Sequence, residues 1–168
     1  MPVWLRHLLA IAILPFTVAV LVPLSIARSH AIAPGIGSSP AQVALQLAGV
    51  ALGVVGLALF AASLRRFATE GEGTLAPWDP PQKLVVRGPY RHVRNPIISG
   101  VIFVLFAEAL VMLSRPHAMW AAAFLALNLL WIPFVEEPQL EERFGDSYRE
   151  YKKHVPRIWP RRRPWQDS

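Results

Sequence analysis

The first segment that could do chemistry is Tyr90–Pro96, in which Arg91 and Arg94 precede an Asn-Pro pair. A helix that begins at this pair presents free backbone N–H groups, and flanking arginines favour a carboxylate or phosphate there. The stretch Lys83–Val86 just upstream is extended in propensity, and an extended backbone can contact the edge of a nucleobase. These features predict a site for an anionic or nucleotide-like ligand.

The same residues also allow a purely structural interpretation. Pro96 suits the first turn of a helix, where its missing N–H costs nothing. Asn95 would then be the N-cap, with its side chain bound to a free backbone N–H. Arg91 and Arg94 would anchor the phosphates of the inner lipid leaflet.

A second polar segment begins with Glu136 and Glu137 at the end of the last apolar stretch. Two adjacent carboxylates so close to a membrane are costly unless they are paired or hydrated. Downstream, apolar and aromatic residues recur at intervals of 4, 4, 3 and 4: Leu140, Phe144, Tyr148, Tyr151 and Val155. This stripe predicts an amphipathic helix, interrupted at Gly145, that lies at the interface or closes over the inner end of the molecule.

The composition indicates a membrane protein. Of the 168 residues, 54% are hydrophobic and 17% are charged, whereas soluble domains carry about 25% charged residues. Four apolar stretches approach the roughly 20 residues that a spanning helix needs: residues 8–27, 41–64, 97–114 and 119–135. We therefore expect a single all-α membrane domain over residues 1–168, a bundle of about four transmembrane helices with a cytoplasmic loop 65–96 and a cytoplasmic tail 136–168 that carries the amphipathic helix.

The basic residues predict an orientation. Of the 17 Lys and Arg residues, only Arg28 and Arg115 lie outside the amino terminus, the loop 65–96 and the tail. The positive-inside rule therefore places both termini in the cytoplasm. Ala31-Ile32-Ala33 has the form of a signal-peptide cleavage site, but Pro34 would follow the cut and the apolar stretch is too long. We expect the first span to be retained.

Several classes of site are excluded or disfavoured. The chain has no cysteine, which rules out a disulfide scaffold, a thiolate nucleophile and a Cys-ligated metal, and we expect no metal site. The run Arg161–Arg163 is too short to indicate nucleic-acid binding. Within the spans, Glu108 is either a functional acid or a hydrogen-bonded partner of Asn128. Glycines at 49, 53 and 56 predict close helix packing.

Two sequences together resemble a known family: KLVVRGPYRHVRNPIISG at Lys83–Gly100 and EEPQLEERFGDSYREYKKHVPR at Glu136–Arg157. They are similar to the membrane methyltransferases of the isoprenylcysteine carboxyl methyltransferase and phospholipid methyltransferase group. The shared pattern is G-x-Y-x-x-x-R-[HN]-P, a helical hairpin, then E-E and F-G-x-x-Y-x-x-Y. The resemblance covers about residues 82–160 and implies a multi-pass protein of the bacterial inner membrane.

The resemblance implies S-adenosylmethionine as methyl donor and a lipophilic or amphipathic small molecule as acceptor. Leu84 and Val85 would offer backbone contacts to the adenine, and Tyr90 would line the pocket. The remaining donor-binding candidates lie around the methionine part, the ammonium and the ribose hydroxyls: Arg94, Asn95, Pro96, Glu136 and Glu137. Methyl transfer depends on in-line positioning more than on acid–base chemistry, so we assign no catalytic residue.

The chain departs from the family pattern at three places. Asn95 stands where the common form has His, and Ile98 stands where it has Tyr. The stretch Trp131–Phe134 lacks the arginine that binds the substrate carboxylate in eukaryotic prenylcysteine enzymes. This difference disfavours a prenylcysteine acceptor. Arg91 and Arg157 could replace that arginine, so these two residues and Ile98 are the weaker candidates for acceptor binding.

Two other functions fit parts of the pattern. A membrane reductase would bind the phosphates of NADPH through basic residues such as Lys83 and Arg87. A non-catalytic scaffold would use the basic loop and the amphipathic tail to hold anionic lipid or a partner protein. The scaffold does not explain why the Glu136-Glu137 pair would face the Arg91–Asn95 turn.

Overall fold

The computed structural model describes residues 13–72, 80–158 and 160–166, and within these ranges the protein is helical and forms no strand. Its five helices are α1 (Thr17–Ser29), α2 (Pro40–Glu70), α3 (Pro96–Val111), α4 (Arg115–Phe144) and α5 (Asp146–His154). A 3₁₀ turn, Gly88–Arg91, precedes α3. The all-α prediction is confirmed for the described residues.

Local sequence signals explain where the helices begin and end. Ser39 and Ser114 each accept a hydrogen bond from a backbone N–H in the first turn of α2 and α4, and a proline stands near the start of both helices. Gly145 has a positive φ of 56°, which separates α4 from α5. Glycine adopts this backbone at little cost, so the predicted interruption at Gly145 is confirmed.

Helices α2 and α3 pack closely because glycines face each other. A Cβ on Gly56 would lie 2.9 Å from the carbonyl oxygen of Gly100, and a Cβ on Gly100 would lie 2.8 Å from the carbonyl oxygen of Gly56. Gly49 lies similarly close to Leu110 and the Ala107 carbonyl oxygen. The predicted packing role of the glycines is confirmed, since any side chain at these positions would separate the two backbones.

Two of the helices, α2 and α4, are long and apolar enough to cross a membrane. The apolar helices α1 and α3 are shorter. The 16 residues of α3 extend about 24 Å at 1.5 Å per residue, less than a bilayer core of about 30 Å. Residues 8–12 of the first predicted span, 8–27, lie outside the described residues. The four-span arrangement therefore stays a prediction.

Helix α4 continues beyond its apolar part. Its regular portion, Arg115–Trp131, passes into a π-helical turn, Ile132–Glu136, and then into a final α-helical segment, Glu137–Phe144. Pro133 lies in the π turn, where the wider hydrogen-bond spacing accommodates its missing N–H. As a result Glu136 and Glu137 lie on successive positions of a helix rather than in a loop.

The polar residues inside the spans do not pair as one interpretation predicted. Asn128 donates to the carbonyl oxygen of Phe124, at 2.8 Å on its own helix. Glu108 has a buried Oε2 atom without a hydrogen-bond partner among the described residues. The hypothesis of a Glu108–Asn128 hydrogen bond is therefore not supported by the geometry.

Helix α5 folds over the loop that precedes α3. Its Tyr148, Tyr151 and the following Val155 are 2%, 2% and 1% exposed and form one apolar cluster. The other members of this cluster come from α4, the loop and the tail: Leu140, Phe144, Leu84, Val86 and Trp165. The predicted stripe thus faces inward as one surface. The stretch Lys83–Val86 lies beneath it and pairs with no strand in the described ranges.

Candidate functional site

Asn95 and Glu136 connect the two polar segments of the sequence. Asn95 precedes α3, but its side chain makes no capping hydrogen bond there. The side chain instead faces the carboxylate of Glu136 on the π turn of α4. The interpretation of Asn95 as a side-chain cap is therefore wrong, because its amide is used between two helices.

Glu137 is the centre of a buried charge cluster. Its carboxylate is 2% exposed and lies 2.6 Å from Arg157 Nε, 3.2 Å from Arg94 Nη2 and 3.2 Å from Lys152 Nζ. Lys152 also binds Glu141 at 2.5 Å, which raises the pKa of its ammonium. The cluster joins α4 to α5, to the tail and to the residues before α3. A buried carboxylate is stable only with such partners.

Arg94 is incompletely paired. Its side chain is 9% exposed, and only Nη2 contacts Glu137. The other two guanidinium nitrogens, Nε and Nη1, are buried and have no hydrogen-bond partner in the part of the chain that the structure describes. Buried donors without acceptors are costly, and a planar guanidinium edge fits a carboxylate. Arg94 thus has N–H groups available for an anionic ligand.

Three buried tyrosines surround this cluster. The Tyr151 hydroxyl donates to the backbone carbonyl oxygen of Tyr90 at 2.7 Å, and the rings of Tyr148 and Tyr151 meet edge to face at 6.1 Å. Burial raises the pKa of each phenol far above its ordinary value. All three therefore stay neutral near pH 7 and are unsuited to act as general bases.

The predicted adenine-contacting residues lie beside Tyr90. Val85 is 6% exposed and belongs to a cluster with Tyr90 and Ile97. Leu84 packs on the opposite side, against the tyrosines of α5. Pro96 is fully buried at the start of α3. The loop before α3 thus brings together, near Glu136 and Glu137 of α4, the residues Leu84, Val85, Tyr90, Arg94, Asn95 and Pro96.

The tail runs back along the turn that precedes α3. The Arg161 N–H donates to the His92 carbonyl oxygen and the Trp165 N–H to the Arg91 carbonyl oxygen, both at 3.0 Å. The Arg94 N–H donates to the Pro156 carbonyl oxygen at 2.9 Å. The Trp165 ring stacks on His154 at the end of α5, with centroids 5.5 Å apart. These contacts fix the tail against residues 91–94.

Two cavities lie at the amino-terminal end of α3. The larger has a volume of about 710 Å³ and is bounded by α2, α3, the Gly88–Val93 turn and the tail. The smaller, about 20 Å³, adjoins Asn95 and Ile98 and has room for about one water molecule. Ser99 and Ile158 line both. The two cavities are therefore neighbours.

Sequence reasoning missed several residues of this region. Lys152 looked like part of the solvent-exposed face of α5, but it reaches Glu137. Arg66 and Ser99, which line the larger cavity, have no local pattern that distinguishes them from a basic collar and a span residue. Arg157, predicted to bind the acceptor, is paired with Glu137. Only the two halves of the motif signalled that residues so distant in sequence would meet.

The polar cluster thus lies where the apolar helices α3 and α4 meet the loop before α3, helix α5 and the tail. A sequence model of the phospholipid methyltransferase family matches residues 45–147, more than half of the chain. The chain therefore belongs to this family of methyltransferases, and the resemblance noted from the motifs is confirmed. No curated protein and no solved structure matches the chain.

Proposed function

We propose that this protein transfers a methyl group from S-adenosylmethionine to a lipophilic or amphipathic acceptor at the cytoplasmic face of the membrane. The observation that carries the proposal is the cluster at the start of α3, where the buried Nε and Nη1 of Arg94 have no partner among the described residues and the next residue, Asn95, faces Glu136. It brings an acidic group, an amide and a guanidinium together at the start of α3. Membership of a methyltransferase family supports the same reaction.

The polar residues of the site match the charged groups of S-adenosylmethionine. The carboxylate of its methionine part requires N–H donors, and Arg94 has two buried ones without partners. Its ammonium requires an anionic or carbonyl acceptor, and Glu136 presents a carboxylate held in place by Asn95. The candidates for contact with the adenine are Leu84, Val85 and Tyr90, which lie in two apolar clusters on either side of the loop before α3.

When bound, S-adenosylmethionine supplies an electrophilic methyl group on a sulfonium. The chain's contribution is then orientation, since a methyl group is transferred only when the acceptor atom lies in line with it. The buried neutral tyrosines exclude water from the region and take up no proton. An acceptor that is already ionised needs no general base.

Within this proposal Glu136 and Glu137 have different roles. Glu136 contacts Asn95 and has no cation bound to it in the described part of the chain, so it can accept the donor's ammonium or hydroxyl groups. Glu137 is surrounded by Arg94, Arg157 and Lys152. We assign Glu137 as a positioning residue that holds α5 and the tail against α3. Arg157 shares that role, which leaves Arg91 as the stronger acceptor-binding candidate.

The space beside Asn95 is too small for a nucleoside. We therefore propose that the tail moves away from residues 91–94 when the methyl donor binds. The contacts that must lengthen are the backbone hydrogen bonds of Arg161 and Trp165.

Isothermal calorimetry on detergent-purified protein tests the donor site. We expect micromolar binding of S-adenosylmethionine, weakened at least about tenfold in Glu136→Gln because a charge-assisted contact is lost. Glu142→Gln is the matched control, since Glu142 is exposed on the same helix. Binding of NADPH instead of S-adenosylmethionine, or equal affinity in Glu136→Gln and wild type, would overturn the assignment.

A further inference from the structure

We propose that the larger cavity binds an amphipathic methyl acceptor. The anionic group of the acceptor would lie at Arg66 and Arg91, and its hydrocarbon part along α2 and α3. The tail of this chain would form the wall that limits the size of the acceptor. The inference rests on the proposed methyl transfer and deepens it by giving the acceptor's chemistry and the segment that selects it.

The cavity has the size and shape of a small-molecule site. Its volume of about 710 Å³ lies within the roughly 300–1,000 Å³ typical of ligand pockets. Val55 and Leu59 of α2 and Phe103 of α3 form its apolar side. Val55 is also part of the exposed apolar face of α2. A hydrocarbon chain can therefore enter from the lipid side without crossing water.

The polar side of the cavity is basic. Arg66, Arg91 and His92 line it, and no acidic residue does. Arg66 uses Nη1 to contact Glu70 at 2.8 Å and is about half exposed, so its remaining N–H groups can reach a ligand. Arg91 donates through Nε to the Trp165 carbonyl oxygen, which fixes its guanidinium at the cavity edge. Cations beside apolar walls favour an anionic amphiphile and disfavour a cationic one.

The tail completes the enclosure. Ile158, Pro160 and Pro164 line the cavity opposite α2. These residues lie beyond positions 45–147, where the family match ends. The hydrogen bonds of Arg161 and Trp165 and the Arg157–Glu137 pair hold it in place. While the methyl donor is absent, the tail thereby sets the width of the cavity.

The cavity also lies where an acceptor must lie. Ser99 and Ile158 line both this cavity and the smaller one beside Asn95. Ser99 donates through its hydroxyl to the Asn95 carbonyl oxygen at 3.0 Å. An amphiphile whose polar end is at the Arg91 turn would therefore be adjacent to the region assigned to the methyl donor.

Photolabelling of the full-length protein in non-ionic detergent tests the inference. The probes are a diazirine-bearing dodecanoate and the charge-reversed diazirine-bearing dodecylammonium, and labelled peptides are located by mass spectrometry. We expect dodecanoate to label the α2 peptide around Leu59 and the tail peptide containing Ile158. Arg66→Gln should lower this labelling about fivefold, as for a lost charge-assisted hydrogen bond that is partly exposed. Arg65→Gln, its exposed neighbour, should not lower it.

A second variant tests whether the loss of labelling in Arg66→Gln reflects a disturbed fold rather than a lost contact with the probe. Leu59→Trp should fill the apolar side and abolish labelling of the tail, while calorimetry of S-adenosylmethionine stays unchanged. The inference would be overturned by equal labelling with both probes or by retained labelling in Arg66→Gln. Complete competition by inorganic phosphate would also overturn it, because the cavity would then be a site for a free anion. Loss of donor binding in the wild type would instead overturn the proposed function, so the two failures are distinguishable.

Discussion

Glu136 and Glu137 are neighbours in sequence but belong to different environments. Successive residues on a helix point about 100° apart, because a turn takes 3.6 residues. Glu136 therefore faces Asn95 before α3, whereas Glu137 faces cations from three other segments. The pair can thus serve ligand binding and assembly at the same time.

Removing the charge of Glu137 should destabilise the fold. Glu137→Gln leaves the buried guanidinium of Arg94 without its counter-ion, and we expect a loss of about 3 kcal/mol in the free energy of unfolding. Chemical denaturation followed by tryptophan fluorescence measures it. Glu141→Gln breaks a more exposed pair with Lys152 and should cost less than about 1 kcal/mol. Equal losses in the two variants would contradict the positioning role.

Residue chemistry was only partly predictable from the sequence. Asn95, Arg94, Glu136 and Glu137 stand out because charged and amide groups beside apolar spans need partners. Which partner each one takes depends on the rotation of α4 through its π turn, and no local pattern encodes that rotation. The capping interpretation of Asn95 was wrong for this reason.

At the level of elements, the sequence predicts helix α5 well but not the path of the part of the tail that follows it. The stripe of α5 has helical spacing, so its inward face could be read from the sequence and agrees with the Tyr148, Tyr151 and Val155 cluster. The tail has three prolines and no periodicity, so its return along residues 91–94 could not be anticipated. Backbone hydrogen bonds rather than side-chain pattern determine its path.

Hydrogen exchange tests the proposed movement of the tail. The amides of Arg161 and Trp165 are bonded to the Arg91–His92 turn, and we expect their protection to change when S-adenosylmethionine is added. Amides in the middle of α2 serve as an internal control and should be unaffected. Unchanged exchange at Arg161 and Trp165 in a sample that binds the donor would place the donor elsewhere.

For the whole molecule, composition predicted an apolar helical protein, and the glycines of α2 predicted close packing by a neighbouring helix, which the structure shows to be α3. The number of spans is harder to establish, because α1 and α3 are shorter than a bilayer core. The predicted orientation rests on the distribution of Lys and Arg.

The orientation has a direct test, since the chain has no cysteine of its own. Single variants Arg115→Cys and Lys153→Cys place one thiol at each predicted side, both at exposed positions. In intact spheroplasts a membrane-impermeant maleimide should label Arg115→Cys, and it should label Lys153→Cys only after lysis. The reverse pattern, or labelling of both before lysis, would contradict cytoplasmic termini.

Methyl transfer itself is the measurement closest to the central claim. Membranes that contain the protein are incubated with S-adenosylmethionine carrying a labelled methyl group, and the lipid-soluble fraction is extracted and counted. We expect more label in that fraction than in membranes without the protein, and only background label with Glu136→Gln at the same expression level. Donor binding without any label in lipid-soluble or amphipathic products would contradict it.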